Sequence, residues 1–89
     1  MKAIVTVLGK DKVGIIADVA IVMKKYGVNI CDISQTLMQD YFTMIMLVDA
    51  AHTDLPFAEL VTALESAGRE RDLVIHAQRE DIFNAMHRI

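Results

Sequence analysis

The fold is decided by residues 7–20, VLGKDKVGIIADVA, where the pattern of apolar residues changes. A β-branched, apolar run ends at Gly9, and the three charged residues 10–12 follow it. After Gly14 the apolar residues recur with the spacing of one helical face. The stretch therefore predicts a strand and a helix joined by the connection GKDKVG.

Working outward, the helix is predicted to run from this connection to Gly27, which supplies a C-terminal stop. Its buried stripe has the spacing i, i+4, i+7 and i+11 and consists of Ile15, Val19, Val22 and Tyr26. On the other side, residues 2–8, KAIVTVL, are apolar at both alternating sets of positions. That pattern is typical of a central strand.

Two more strands follow the helix. Residues 28–39 alternate in polarity, which predicts a strand whose Cys31, Ile33 and Leu37 face the core, with Cys31 packed as a small buried residue. Gln39 and Asp40 offer a tight turn, and residues 41–50 form the partner strand.

A second helix and a last strand complete the pattern. The helix is expected to be capped by Thr53 or Asp54, to have Pro56 in its first turn and to end at Gly68. Its apolar stripe consists of Phe57, Leu60, Val61 and Leu64. Residues 71–80 read as the last strand, and a short terminal helix is expected over residues 80–89.

The resulting order is β-α-β-β-α-β with an added terminal helix. Right-handed crossovers make it a ferredoxin-like α+β fold, a four-stranded antiparallel sheet with both helices on one face. We expect one domain over residues 1–89, with its core in 1–79. Because the second face of the sheet is also apolar, it must be covered by the terminal helix, another subunit, or both.

Composition narrows the class of protein. The chain has 89 residues, too few for a second core, and 54% are hydrophobic, which favours an interface between subunits. A net charge of −3 with scattered basic residues argues against nucleic acid or an anionic membrane as partner. Because there is neither an apolar run long enough for a membrane span nor a signal-peptide pattern, the expected location is the cytoplasm.

The same topology supports several chemistries, and the residues that each requires are missing from the sequence. The first loop has no arginine for acyl-phosphate hydrolysis and no Cys-x-x-Cys pair for soft-metal transfer. The first strand has no aromatic residues to stack on RNA bases, and the three histidines lack metal-ligand spacing. We therefore predict no catalytic residues, no metal and no cofactor.

The connection GKDKVG can bind an anion. Amides around Val13, Gly14 and Ile15 open a helix, where they lack helical partners and the dipole favours negative charge. Gly14 lets a ligand approach the backbone closely. Asp11 is open to two interpretations, since its carboxylate either receives the ammonium group of an amino acid or caps the helix.

The chain resembles the ACT domain family of regulatory amino-acid-binding modules. The resemblance extends over residues 1–79 and is carried by Gly9, Asp11, the pair Val13 and Gly14, and the run GVNI at residues 27–30. The chain is similar to small stand-alone ACT proteins and to the N-terminal domains of two larger proteins. These are the glycine cleavage system transcriptional repressor and formyltetrahydrofolate deformylase.

The resemblance implies where an effector would bind. The loop residues would be Gly9, Asp11, Val13, Gly14 and Ile15, with Asn29 and Ile30 opposite, often from the neighbouring subunit. In this family Pro is usual at the position of Val13, and Asn is frequent at the position of Asp11, whose charge would repel a ligand carboxylate.

The implied function is sensing of an amino acid by a homodimer or larger homo-oligomer that signals to a target protein. The alternative is a dimerisation module that interacts with its partner without any ligand.

Overall fold

The computed structural model describes residues 1–10 and 13–81. Its elements follow the predicted order: β1 (Lys2–Lys10), α1 (Ile15–Lys25), β2 (Asn29–Met38), β3 (Tyr41–Asp49), α2 (Phe57–Glu70) and β4 (Leu73–Arg79). The terminal helix expected over residues 80–89 falls almost entirely outside the described residues.

The four strands form one antiparallel sheet in the order β2-β3-β1-β4. β1 is central and pairs with both β3 and β4, so that Val5 lies between Met46 and Ala77. With two helices packed on this sheet, the predicted ferredoxin-like α+β fold is confirmed.

The core lies between the helices and one face of the sheet. Alternate residues of the strands are buried there, as the period of two requires, and they meet one stripe from each helix. Burying a Val, Leu or Met side chain stabilises the fold by about 1.5–3 kcal/mol. Within residues 1–10 and 13–81 no polar or charged side chain is buried. The largest fully buried side chains are Met23, Met44, Met46, Leu60, Leu64, Val5, Val7, Val19, Val22 and Val48.

Both predicted ends of α2 were wrong. The N-cap is Pro56 without a side-chain hydrogen bond, and the Thr53 hydroxyl instead accepts a hydrogen bond from the Leu55 N–H at 3.4 Å. The helix also continues past Gly68 to Glu70. A Cβ atom at Gly68 would lie 2.8 Å from the Leu73 carbonyl oxygen, so this glycine permits close packing of α2 on β4 and does not end the helix.

The predicted burial of one face of β2 was also wrong. Every residue of this strand except Ile30 is exposed, including Cys31, Ile33 and Leu37. β2 is an edge strand, and the helices do not extend far enough over it to bury its helix-side residues. Cys31 is the extra residue at a bulge between Ile30 and Asp32 and has no partner on β3.

Gly27 and Gly14 give a matched test of the backbone geometry, because both have positive φ, +71° and +82°. An added Cβ at Gly27 would lie 2.8 Å from the His52 carbonyl oxygen, whereas at Gly14 it would meet nothing within 4 Å. We expect Gly14→Ala to lower the free energy of unfolding by about 1 kcal/mol, from the left-handed conformation alone. Gly27→Ala should lower it by about 2–4 kcal/mol, because the steric contact adds to that strain.

Urea denaturation of the two variants and the parent chain measures the difference. Equal losses in the two variants would contradict the close contact between Gly27 and the carbonyl of His52.

Candidate functional site

A cleft opens where α1 begins beside the end of β2. Its volume is about 290 Å³, at the lower end of the range for small-molecule sites. The first turn of α1 forms one wall and the last residues of β2 form the other. The lining residues are Gly14, Ile15, Ile16, Ala17, Gln35, Thr36, Leu37 and Phe42.

The helix wall of the cleft presents backbone donors that have no partner within the helix. Gly14 is the N-cap, and its carbonyl accepts the first helical hydrogen bond, from the Asp18 N–H at 2.9 Å. The residues four positions before Ile15, Ile16 and Ala17 lie outside the helix. The N–H groups of these three residues therefore have no helical carbonyl to donate to. These donors and the positive end of the helix dipole favour an anionic group in the cleft.

The strand wall adds a polar side chain to an apolar surface. Gln35 pairs with Met44, which is buried beneath the helices, so Gln35 lies on the helix side of the sheet. Its carboxamide can both donate and accept hydrogen bonds. Ile15 and Phe42 are buried below, and Leu37 is exposed at the rim. The cleft thus combines an anion-favouring end, an amide and an apolar wall.

The loop residues predicted as ligand contacts lie at or near this cleft. Gly14 and Ile15 line it, and Gly14 leaves open space where a side chain would be. Gly9 pairs with Phe42 and so lies at the same end of the sheet. Val13 is fully exposed, and Asp11 lies outside the described residues, which leaves its role as ligand contact or cap untested.

Asn29 and Ile30 lie at the opposite end of the sheet. Asn29 pairs with Asp49, whereas Gly9 pairs with Phe42. The seven-residue separation along β3 corresponds to about 23 Å. One chain therefore does not bring the two predicted halves of the site together around a ligand of amino-acid size.

Sequence reasoning missed Gln35, Leu37 and Phe42 as lining residues. Strand register, which pairs Leu37 with Phe42, places them beside Gly14, and register is not visible in the sequence. The only available signal was the presence of a polar residue, Gln35, at a position predicted to face the helices.

At the far end of the sheet, Asp49 holds the chain after β3. Its Oδ1 accepts a hydrogen bond from the Ala51 N–H at 3.0 Å and lies 3.4 Å from the amino nitrogen of Met1. The hydrogen bond from Ala51, followed by the nearby ammonium group, lowers the pKa of the Asp49 carboxyl below its ordinary value.

Within residues 1–10 and 13–81, no group of three or more His, Cys, Asp or Glu residues could hold a metal ion. No helix in the same part of the chain has both the length and the apolar character needed to cross a bilayer.

An ACT domain model matches residues 2–78, and the chain belongs to that family, whose members are generally regulatory, ligand-binding domains. The resemblance seen in the loop and in GVNI is thereby confirmed. A UPF0237 protein of Clostridium acetobutylicum is 51% identical over 89 residues, covering 100% of both chains. One of Methanococcus maripaludis is 50% identical over 86 residues, covering 97% of this chain and 96% of its own.

Solved structures agree with this assignment. An ACT domain protein from Streptococcus pneumoniae superimposes with a TM-score of 0.83 at 42% identity, covering 98% of each chain. A protein assigned as a glycine cleavage system transcriptional repressor gives 0.70 at 25% identity, over 86% of this chain and 44% of its own. Formyltetrahydrofolate deformylase from Pseudomonas putida shares the fold, with a TM-score of 0.76 at 10% identity, over 91% of this chain and 29% of its own.

Asp49 predicts a pH dependence of stability. Because the pKa of its carboxyl is lower in the folded chain, the ionised carboxylate contributes its full stabilisation above the unfolded pKa near 3.8. That stabilisation is lost as the pH falls through the folded pKa. We expect Asp49→Asn to destabilise the chain at pH 7, and this deficit to shrink below pH 3.8. Urea unfolding of both proteins at several pH values measures it. A deficit that is independent of pH would contradict the assignment.

Proposed function

We propose that this chain is a cytoplasmic regulatory domain that binds an amino acid in the cleft at the start of α1 and signals its presence to a target protein. One observation carries the proposal: the first-turn residues of α1 line a small cleft together with Gln35. The backbone donors suit the ligand carboxylate, the carboxamide suits a polar group, and the apolar wall suits a side chain. The chain acts by binding and does not catalyse a reaction.

A second chain completes the proposed site. β2 is an open edge of ten residues, and such edges pair readily with another strand. If two β2 edges pair antiparallel, residue 29 of one chain comes close to residue 38 of the other. Asn29 and Ile30 of each chain then approach the cleft of the other, which overcomes the separation within one chain.

The proposed mechanism is differential affinity. An amino acid that contacts both chains favours the relative orientation in which Gly14 of one and Asn29 of the other lie closest. The target protein would recognise that orientation. Because linkage is reciprocal, the target protein would also raise the affinity for the ligand.

The alternative is a dimerisation module that binds its target without a ligand. The exposed Ile33 and Leu37 on the β2 edge favour it, because they supply apolar contact for association whether or not the cleft is filled. The two functions share the dimer and differ only in whether an effector changes it.

Isothermal titration with the twenty amino acids tests the sensor function. We expect heat from one or a few of them, and we expect Asn29→Ala to weaken that binding at least tenfold while the fold is retained. A lost hydrogen bond to a charged ligand is worth about 1.5–3 kcal/mol, and 1.4 kcal/mol corresponds to a factor of ten. Thr62→Ala is the control, because this hydroxyl donates a hydrogen bond to the Ala58 carbonyl of its own helix and does not line the cleft.

The outcomes separate the two functions. If no amino acid gives heat or a thermal shift, the sensor fails and the dimerisation module stands. If native mass spectrometry shows a monomer at the concentration of the titration, the site between two chains is wrong.

A further inference from the structure

The face of the sheet opposite the helices, called here the open face, is uncovered by any described helix. It consists of the side chains that alternate with the buried ones. On the two central strands they are Lys2, Ile4, Thr6, Leu8, Lys10, Tyr41, Thr43, Ile45, Leu47 and Asp49, and on the edge strands Asp32, Ser34, Thr36, Met38, Val74, His76 and Gln78.

The centre of the open face is apolar. The rows formed by β1 and β3 place Ile4 beside Leu47 and Leu8 beside Thr43, with no charged side chain between them. Ile45 is 46% exposed and Val74 is 66% exposed. Strands that are apolar on both faces are typical of sheets covered on both sides. A contiguous apolar surface of this kind on a small domain marks an interaction site.

Polar residues lie along both edges of this apolar centre, next to the apolar Met38 and Val74. Asp32, Ser34 and Thr36 lie along one edge, and His76 and Gln78 lie along the other. An apolar centre with a polar rim is the usual arrangement of a protein interface.

The area of the open face suits a second sheet. Four strands spaced about 4.8 Å apart and about 23–30 Å long give a flat area of about 500 Å². Protruding side chains add to that, which brings it close to the roughly 600 Å² per partner at the lower limit of stable interfaces. The molecule is 34 × 32 × 19 Å, so its thin direction is the one that a second copy would extend.

One orientation of a second copy would bring opposite charges together at one end of the open face. Lys2 lies at one end of β1 beside Asp49 of β3. A two-fold axis parallel to the strands brings β3 of one copy over β1 of the other. Asp49 of each chain then lies near Lys2 of the other chain, and the apolar Leu47 lies over Ile4.

We propose that a second copy of this chain packs on the open face, sheet against sheet. The two sheets stack at the usual separation of about 10 Å, with the central side chains of both interdigitated. This interface is separate from the β2 edge used in the proposed function, and it doubles whatever assembly the edges form. It does not depend on an effector.

The test uses charged substitutions and the mass of the assembly in solution. We expect Ile45→Glu and, separately, Val74→Lys to halve the mass of the parent assembly in native mass spectrometry and light scattering. Ile21→Glu is the matched control, because Ile21 is an isoleucine on α1, 59% exposed and outside the open face, and its substitution should leave the mass unchanged. Circular dichroism verifies that each variant is folded.

The result that overturns the proposal is an unchanged mass in both Ile45→Glu and Val74→Lys. If Ile45→Glu fails to fold, Val74→Lys on the edge strand decides by the same criterion. Halving by all three variants also overturns it, because the effect would then not be specific to the open face. We expect titration with amino acids to give the same result for Val74→Lys and the parent chain. Failure of the open-face interface is therefore distinguishable from failure of the sensor function.

Discussion

The central position of β1 is the constraint on which the rest of the structure depends. β1 is hydrogen-bonded to β3 on one side and β4 on the other, and its Val5 and Val7 are completely inaccessible beneath the helices. Its direction determines where α1 starts, and the register with β3 determines which residues of β2 lie beside that start. The cleft at Gly14 therefore follows from strand pairing and not from the loop alone.

A single layer of two helices leaves much of this sheet uncovered. Among the described residues, the helices bury one face of β1, β3 and β4 but leave β2 exposed, and they do not cover the opposite face. A chain of this size buries only about 60–65% of the surface that its unfolded form exposes. Association through the edge and through the open face would provide the burial that the monomer lacks.

The order of elements and the buried stripe of α1 were predictable because they follow from local periodicity, whereas the apolar residues on both faces of β1 left its inward face undecided. Predictions failed where tertiary contacts, and not local periodicity, determine the structure. Gly68 matches a local stop signal, yet it lies inside α2, where the absence of a side chain permits close approach to Leu73. The alternation of β2 predicts a half-buried strand, but its position at the edge exposes both faces. In the site, Gly14 was visible as a helix start, whereas Gln35 required the register.

The separation of Gly14 and Asn29 within one chain connects ligand binding to the pairing of two β2 edges. If the ligand needs groups from both, only the dimer binds it with full affinity. Ligand and second chain then stabilise each other by mass action, so the apparent affinity for the effector rises with protein concentration. An ACT domain can in this way transmit ligand occupancy through its state of assembly. Pairing with a second chain alters the surface that a target protein meets, and no internal conformational change is needed.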